Sequence, residues 1–422
     1  MSSSGREIIV IGGGLAGLTC ALMLQKGGQK IQLIEASERI GGRVKTDQID
    51  GFLLDRGFQV FQSSYPTAAK WLDLKSLNLR AFRNGCLLRK DDSFKVVADP
   101  WRNPLDSLRS IFAPTGKLSD FSKVARFRQR VRSEKDPYVL LESPQTTAIE
   151  RLHQCGFSTE IIEDFFKPFY SGVFLEKELT TSSRMLDFTF SMFSRGEATL
   201  PADGMEAIPR QLAKQLHPGT IRTQTTVSEI RDGLVKLDDG SSISCAAIVV
   251  ATEMPAAARL LQADSSYTYR STRCVYFDAG NAPVESPSIV LNCDMNSIVN
   301  SLCCPSRVQP SYAPENRTLV SVTSIGPLDR SPHDHVEAVR DELREWFGSD
   351  VDRWRPLSTY NIPYSLPDQS VANMEQIVKT PRVTDTIYRC GDYCDTRSID
   401  GAIRSGERAA AAVLADFKSA GS

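Results

Sequence analysis

Gly12, Gly14 and Gly17 stand in the spacing G-x-G-x-x-G, and Glu35 follows them at about the length of a helix and a strand. These residue types at these intervals suit one task, holding a pyrophosphate. The first glycine permits a tight strand-to-helix turn, the second lets the backbone approach the phosphates, and the third lets the helix pack on a sheet. Leu15 and Ala16 open the helix, where unpaired N–H groups and the positive end of the dipole face an anion. Glu35, with Ala36 after it, stands where an acid at the end of the second strand accepts a ribose hydroxyl.

The elements that must position these residues are legible around them. Ile8 to Ile11 reads as a buried parallel strand, Leu15 to Lys26 as a helix, and Ile31 to Ile34 as the next strand. With a strand before it, a helix after it and a spaced acid, the glycine pattern is a dinucleotide signal and not a bare turn. Residues 47 to 60 read as a hairpin turning at Gly51. Short strands at Cys86 to Leu88 and Phe94 to Val97 then give way to helical segments broken by prolines at 100, 104, 114, 137 and 144. Residues 101 to 132 hold eight Arg or Lys against two Asp, and Leu118 to Arg132 reads as a basic amphipathic helix. A solvated face accounts for it; docking on an anionic membrane surface through 117–132 is the alternative. Ile161 to Phe174 is dense in aromatics. Strands are expected at Ile221 to Ile230, Gly233 to Leu237, Ile243 to Ala251, Cys274 to Phe277, Ile289 to Cys293, Ser297 to Leu302 and Leu319 to Ile325. Ser331-Pro332 starts a helix, which places His333 and His335 on an exposed first turn; H-x-H lacks a third ligand, so no metal is expected. Near the end, a strand runs into Gly391-Asp392, and a loop then feeds a helix reaching about Phe417.

Directly after Glu35 comes Arg39-Ile40-Gly41-Gly42-Arg43. G-x-G-x-x-G, then the acid, then R-x-G-G-R resembles the FAD-dependent amine oxidase and desaturase superfamily, which includes monoamine oxidases, protoporphyrinogen oxidases, phytoene desaturases and hydroxysqualene oxidoreductases. The resemblance implies an α/β fold. It predicts a Rossmann-like FAD-binding domain of the glutathione-reductase type, built from the discontinuous segments 1–75, 200–255 and 381–422, with a mixed α+β substrate domain from 76–199 and 256–380. It implies that Arg39, Gly41, Gly42 and Arg43 approach the cofactor phosphates, that Gly57-Phe58-Gln59 passes beside the flavin ring, and that the backbone of Val227 meets adenine. Asp392, after Gly391, would contact the ribityl and pyrophosphate region. Ile399, Gly401 and Ala402 would bring a helix N-terminus to the pyrimidine side, where reduced flavin carries negative charge. The family's F-x-x-P-F-x-x-G-V-F and the later aromatic strand make Phe169, Tyr170, Phe174, Tyr360 and Tyr364 pocket candidates, although an aromatic stripe is equally a core.

Composition bounds the rest. At 422 residues there is room for two domains, and a net charge of −1 gives no pull toward nucleic acid. No apolar run of about 18 residues exists, and the first strand follows Met1 almost at once, so neither a membrane span nor a targeting segment is expected. Ten cysteines without a regular framework favour reduced thiols and an intracellular setting, cytoplasmic or organellar, with any membrane contact peripheral. No counterpart of the flavin-tethering cysteine is evident, since Cys394 lies elsewhere, so FAD is expected to be non-covalent. A single dinucleotide fingerprint points to electrons leaving to oxygen or a quinone. Amine oxidases of the superfamily place an aromatic where Ser398 stands, which argues for oxidation or desaturation of a small hydrophobic substrate such as a tetrapyrrole, terpenoid or carotenoid. Amine oxidation, redox-neutral isomerisation and flavin binding without turnover are the alternatives. Catalytic residues beyond the cofactor, and oligomeric state, are not specified by the sequence.

Overall fold

The computed structural model describes residues 7–99, 101–102, 118–263, 268–327 and 329–421. The prolines at 100, 104 and 114 and Lys117 lie outside the described residues. Five parallel strands form one sheet in the order 221–222, 31–34, 8–11, 247–250, 387–389. The central strands Ile8–Ile11 and Ala247–Val250 are buried along their whole length, as strands covered on both faces must be. Helix α1, Leu15–Lys26, packs against the last helix of the chain. Leu18, Leu22, Ile403, Ala410 and Val413 are buried together in that contact. Chain ends separated by nearly the whole sequence thus meet on one face of one sheet.

The expected hairpin is present as Thr46–Ile49 and Phe52–Asp55, with positive φ at both Asp50 and Gly51, the turn type that matches strand twist. The expected strand over Ile221 to Ile230 is two strands in different sheets. Ile221–Arg222 ends the parallel sheet, and Val227–Arg231 starts a three-stranded antiparallel one. Gln224 adopts φ 52° between them, and its N–H is given to the Ser37 carbonyl, so the chain bends away toward the end of the second strand.

A seven-stranded sheet takes the order 355–367, 269–278, 319–325, 301–303, 289–292, 85–90, 93–98. It is antiparallel except where 289–292 pairs with 85–90. The strand Arg355–Pro367 carries prolines at 356, 363 and 367 and sits at the sheet edge, the place where a missing N–H is tolerated. Of the stretch expected as a strand from Ser297, only Ser301–Cys303 is one, because Asp294 to Ser297 turn. A helical layer covers this side: α2, Leu118–Ser133; α3, Lys167–Phe174; and α4, Ser183–Arg195. Phe127 and Val131 of α2 bury with Leu186 and Phe188 of α4, while Arg130 and Arg151 close on the fully buried Asp187 at 2.6 and 3.1 Å. The final helix, α5, is Ile399–Gly421. Among the described residues no helix is long and apolar enough to cross a membrane.

All ten cysteines are free. Cys303 and Cys304 cannot readily bridge, because successive strand residues face opposite ways and their thiols bury in two different core clusters.

His335 is a correction. It is 7% exposed and not on an open turn, with Nε2 3.0 Å from Ser324 Oγ. Helix Pro332–Phe347 buries His335, Val339 and Leu343 at i, i+4 and i+8, so the histidine belongs to the apolar stripe, while His333 remains exposed. Burial, reinforced by the Arg273 and Arg330 charges, pushes His335 down to about 4. A histidine depressed in the folded state stabilises above its unfolded pKa and loses that stability as pH falls. Urea unfolding between pH 6.5 and 4 is therefore expected to lose up to about 3 kcal/mol through this group, and His335→Gln should flatten that part of the profile. A profile unchanged by the substitution would show that His335 does not report this burial.

Candidate active site

One cavity of ≈ 1180 Å³ runs from the parallel sheet to the helical layer. It collects nearly every residue singled out from the sequence. Gly12, Gly14, Leu15, Ala16, Glu35, Ala36, Gly41, Gly42, Arg43, Gly57, Phe58, Gln59, Val227, Gly391, Asp392, Ile399 and Ala402 line it, as do Phe169, Tyr170, Phe174, Tyr360 and Tyr364.

At the glycine turn, Gly12 has φ 111° and a Cβ there would stand 2.7 Å from the Ala251 carbonyl, so no side chain fits. A Cβ on Gly17 would stand 2.0 Å from the Gly12 carbonyl; this glycine makes the helix–strand contact and does not line the cavity. Gly14 is different. Its φ of −77° is ordinary and a Cβ would meet nothing within 4 Å, so the space it leaves is cavity. Glu35 locks the turn: one carboxylate oxygen accepts Gly13 N–H at 2.7 Å and the other accepts the Ser37 N–H and hydroxyl at 2.9 and 2.6 Å. A carboxylate takes about four hydrogen bonds, so one acceptor position is left.

The two arginines of R-x-G-G-R separate. Arg43 lies on the wall, held by Asp392 at 2.6 Å and the Ser365 carbonyl at 3.1 Å. Burial works against its charge, and Asp392 more than offsets it, raising its pKa. Arg39 turns off the wall and binds the Thr46 carbonyl at 3.0 Å, Glu206 at 2.9 Å and Asp47. It joins the nucleotide turn to the segment at 206 and does not face the cavity. Gln59 gives its amide N–H to the Arg43 carbonyl at 2.9 Å, and its buried Oε1, like Thr252 Oγ1 elsewhere on the wall, has no partner among the described residues.

The C-terminal motif supplies the adjoining wall. Gly391 adopts φ 153°, where a Cβ would stand 2.4 Å from the Tyr393 ring, and its N–H is given to Ser405 Oγ at 2.7 Å. Ser398 caps α5, accepting Gly401 N–H at 3.0 Å; Gly401 itself is packed under the Thr396 turn, behind the lining Ile399 and Ala402. The wall at 398 is therefore a hydroxyl and not a ring. Asp400 accepts Thr67 and Ala68 N–H at 2.9 and 2.8 Å and bonds Tyr138, tying the helical layer to the start of α5.

The far wall is aromatic. Residues Ile162–Phe166 form a π-helical turn that runs into α3, a wide turn common at functional sites. It sets Phe165 and Phe169 parallel at 5.8 Å, with Phe193 edge-on at 5.1 Å. Tyr170 and Phe174 are both almost wholly buried and face the cavity, so core and pocket are the same surface here. Tyr360 commits its hydroxyl to Asp47 at 2.8 Å. Burial works against the Asp47 carboxylate, and hydrogen bonds from Arg56, Tyr360 and Arg39 more than offset it, lowering its pKa. Tyr364 is 45% exposed and marks an opening.

Sequence reasoning missed several lining residues. Gln62 is buried with both amide atoms unpartnered among the described residues, and Arg397, at φ 52°, has an unpartnered Nε while its other nitrogens reach Asn373 and Met374. Gln62 lies three residues beyond the Gly57-Phe58-Gln59 segment, which was the available signal; a lone arginine in a loop gave none.

A profile of the flavin containing amine oxidoreductase family matches residues 15–414. The chain is 20% identical to the coproporphyrinogen III oxidase of Bacillus subtilis, across 95% of each chain. It is 24% identical to the carotenoid 3,4-desaturase of Haloarcula japonica, across 82% of this chain and 81% of the relative. Its fold matches that of an oxidoreductase from Methanosarcina mazei with a TM-score of 0.73 at 17% identity, covering 97% of this chain and all (100%) of the other. The family match spans nearly the whole chain, from the start of α1 into α5: the chain belongs to the flavin containing amine oxidoreductase family and is an oxidoreductase that uses a flavin.

Proposed function

We propose that the chain binds FAD non-covalently and oxidises or desaturates a small hydrophobic substrate of tetrapyrrole, terpenoid or carotenoid type. In this reading segments 1–75, 200–255 and 381–422 hold the cofactor, while 76–199 and 256–380 select the substrate. The observation that carries it is the single cavity joining a phosphate-binding turn to an apolar aromatic wall with a serine, not a ring, at 398.

The residues present fit the cofactor. The N-terminus of α1 and the open space over Gly14 suit a pyrophosphate, the spare acceptor of Glu35 suits a ribose hydroxyl, and Gln59 Oε1 and Thr252 Oγ1 are acceptors awaiting donors. Non-covalent attachment is favoured by the cysteines. Cys394 buries away from the cavity, and Cys86, which does line it, has its thiol pushed up by burial and so is a poor nucleophile. FAD, when bound, would supply the electron sink for hydride removal from a substrate C–H, with oxygen or a quinone as the final acceptor. The chain's own contribution is placement. Phe165, Phe169, Phe174 and Phe193 exclude water and orient a flat or extended apolar body by ring contacts. The buried Gln62 amide offers its NH2 group as donor and its carbonyl oxygen as acceptor to fix its register. Substrates of this class are what the names of the coproporphyrinogen oxidase and carotenoid desaturase relatives describe.

Anaerobic mixing of the FAD-loaded chain with a porphyrinogen, a polyene and a set of primary amines tests the reading. Bleaching of the flavin band is expected with an apolar substrate at a rate at least about tenfold above any amine. Faster bleaching by an amine would replace this reading with amine oxidation.

A further inference from the structure

Three arginines converge on one acceptor beside the cavity. Arg102, Arg128 and Arg132 donate to the Ser194 carbonyl, in the last turn of α4, at 3.3, 3.1 and 2.6 Å. Arg102 also reaches the Gly196 carbonyl at 2.7 Å and Asn84 Oδ1 at 2.9 Å. Arg102 and Arg128 line the cavity, and Arg128 stacks on Trp101, 4.6 Å from its ring centre. Trp101 is 44% exposed, so the cavity meets solvent here as well as at Tyr364.

Capping α4 does not account for the charge. A helix C-terminus carries roughly half a negative charge and is satisfied by one cation. Among the described residues Asp99 is ion-paired to Arg102 at 3.8 Å and itself accepts Trp101 N–H at 2.9 Å, while the exposed Glu197 reaches the group only through Asn84, at 3.5 Å from its Nδ2. Three positive charges therefore share one helix end and one ion-paired carboxylate. Burial first, then Arg132 and Arg102, push the Arg128 pKa down against the pull of Asp99, the signature of a cation lacking a full counter-charge. A guanidinium has five N–H donors, and Arg128 has one hydrogen bond among the described residues, so donors remain beside an aromatic wall.

We propose that this cluster binds the carboxylate or phosphate group of the cavity's ligand, so that the substrate is amphipathic. Its apolar body lies against Phe121, Phe165, Phe169 and Phe193 and its anionic end is held by Arg128 with Arg102. The inference rests on the apolar-substrate reading above and adds the anion to it.

Matched probes separate the two. The FAD-loaded chain is titrated by calorimetry with laurate, dodecyl phosphate and 1-dodecanol, which share an apolar body, and with inorganic phosphate, which has none. Laurate and dodecyl phosphate are expected to bind at least about tenfold tighter than dodecanol, since a hydrogen bond to a charged partner is worth about that much. That preference should shrink toward about twofold in Arg128→Gln, survive in Arg126→Gln, whose exposed side chain lies about 200° around α2, and weaken as salt rises. Inorganic phosphate should bind at least about tenfold more weakly than laurate. Equal affinity for laurate and dodecanol, or a preference that persists in Arg128→Gln, overturns the anion site and leaves the apolar pocket standing. Phosphate binding as tightly as laurate assigns the cluster to free anions and overturns the amphipathic ligand. Failure of every alkyl probe overturns the pocket and the inference together. Should Arg128→Gln not load FAD, the wild-type salt dependence decides: a preference indifferent to salt overturns the proposal.

Discussion

Gly14→Ala is expected to lower FAD affinity by about 100-fold or more while leaving the apo chain as stable as the wild type. The reason is geometric. The φ of −77° is one any residue adopts, and the added Cβ meets no protein atom within 4 Å, so nothing in the fold resists it. The methyl instead occupies the space at the N-terminus of α1 that a pyrophosphate needs for close backbone contact. A helix N-cap exchange of Gly for Ala moves stability by only about half a kcal/mol. Urea unfolding without FAD and titration with FAD should therefore part company. A substitution that unfolds the apo chain, or one that leaves FAD affinity intact, contradicts this placement of the phosphates.

The same methyl at Gly406 should act in the opposite way. There a Cβ would stand 2.2 Å from the Ala16 carbonyl, a backbone atom that cannot rotate aside. Helices α1 and α5 must separate, which breaks the packing of Leu18, Leu22, Ile403 and Val413 that joins the chain's two ends. Overpacking against backbone is expected to lower apo stability by about 3 kcal/mol or more, read as a lower urea midpoint at unchanged slope. FAD should recover part of the loss by mass action, though less than its full binding energy, because the displaced Ala16 lines the cavity. An unchanged midpoint would mean that the close helix contact does not hold the ends together.

These two glycines show what was legible in advance. Gly12, Gly14, Gly17 and Glu35 act locally, within one strand–helix–strand unit, so their spacing alone announced the turn and the acid beside it, though not the bond from Gly13 N–H to Glu35. The Gly391-Asp392 motif was readable through the family resemblance and not from spacing, and the structure brings it to Arg43 through a 2.6 Å ion pair. Contacts that depend on distant partners were not readable. Arg39 looked like a phosphate ligand but meets Glu206, far along the chain, on the other side of the turn. Gln224 splits one apparent strand in two because its N–H goes to the Ser37 carbonyl and the next N–H, of Thr225, to the Glu35 carbonyl. His335 passed for an exposed first-turn residue because Ser-Pro at a helix start is polar, while the stripe it shares with Val339 and Leu343 is set by packing on the sheet. The aromatic run at 161–174 was ambiguous between core and pocket, and it is both, because a π-helical turn rotates Phe165 and Phe169 toward the cavity without uncovering Tyr170 and Phe174. The excess of basic residues in 101–132 was plain, but only the fold brings three of those arginines to Ser194 and the cavity opening.

The central claim is that both ends of the polypeptide enclose one FAD. Titrating the apo chain with FAD, followed by denaturation and filtration, tests it most directly. The account predicts saturation at one FAD per chain, a raised unfolding midpoint in its presence, and full release of yellow cofactor into the filtrate. A chain that stays colourless, gains no stability from FAD, or retains flavin after denaturation would contradict it.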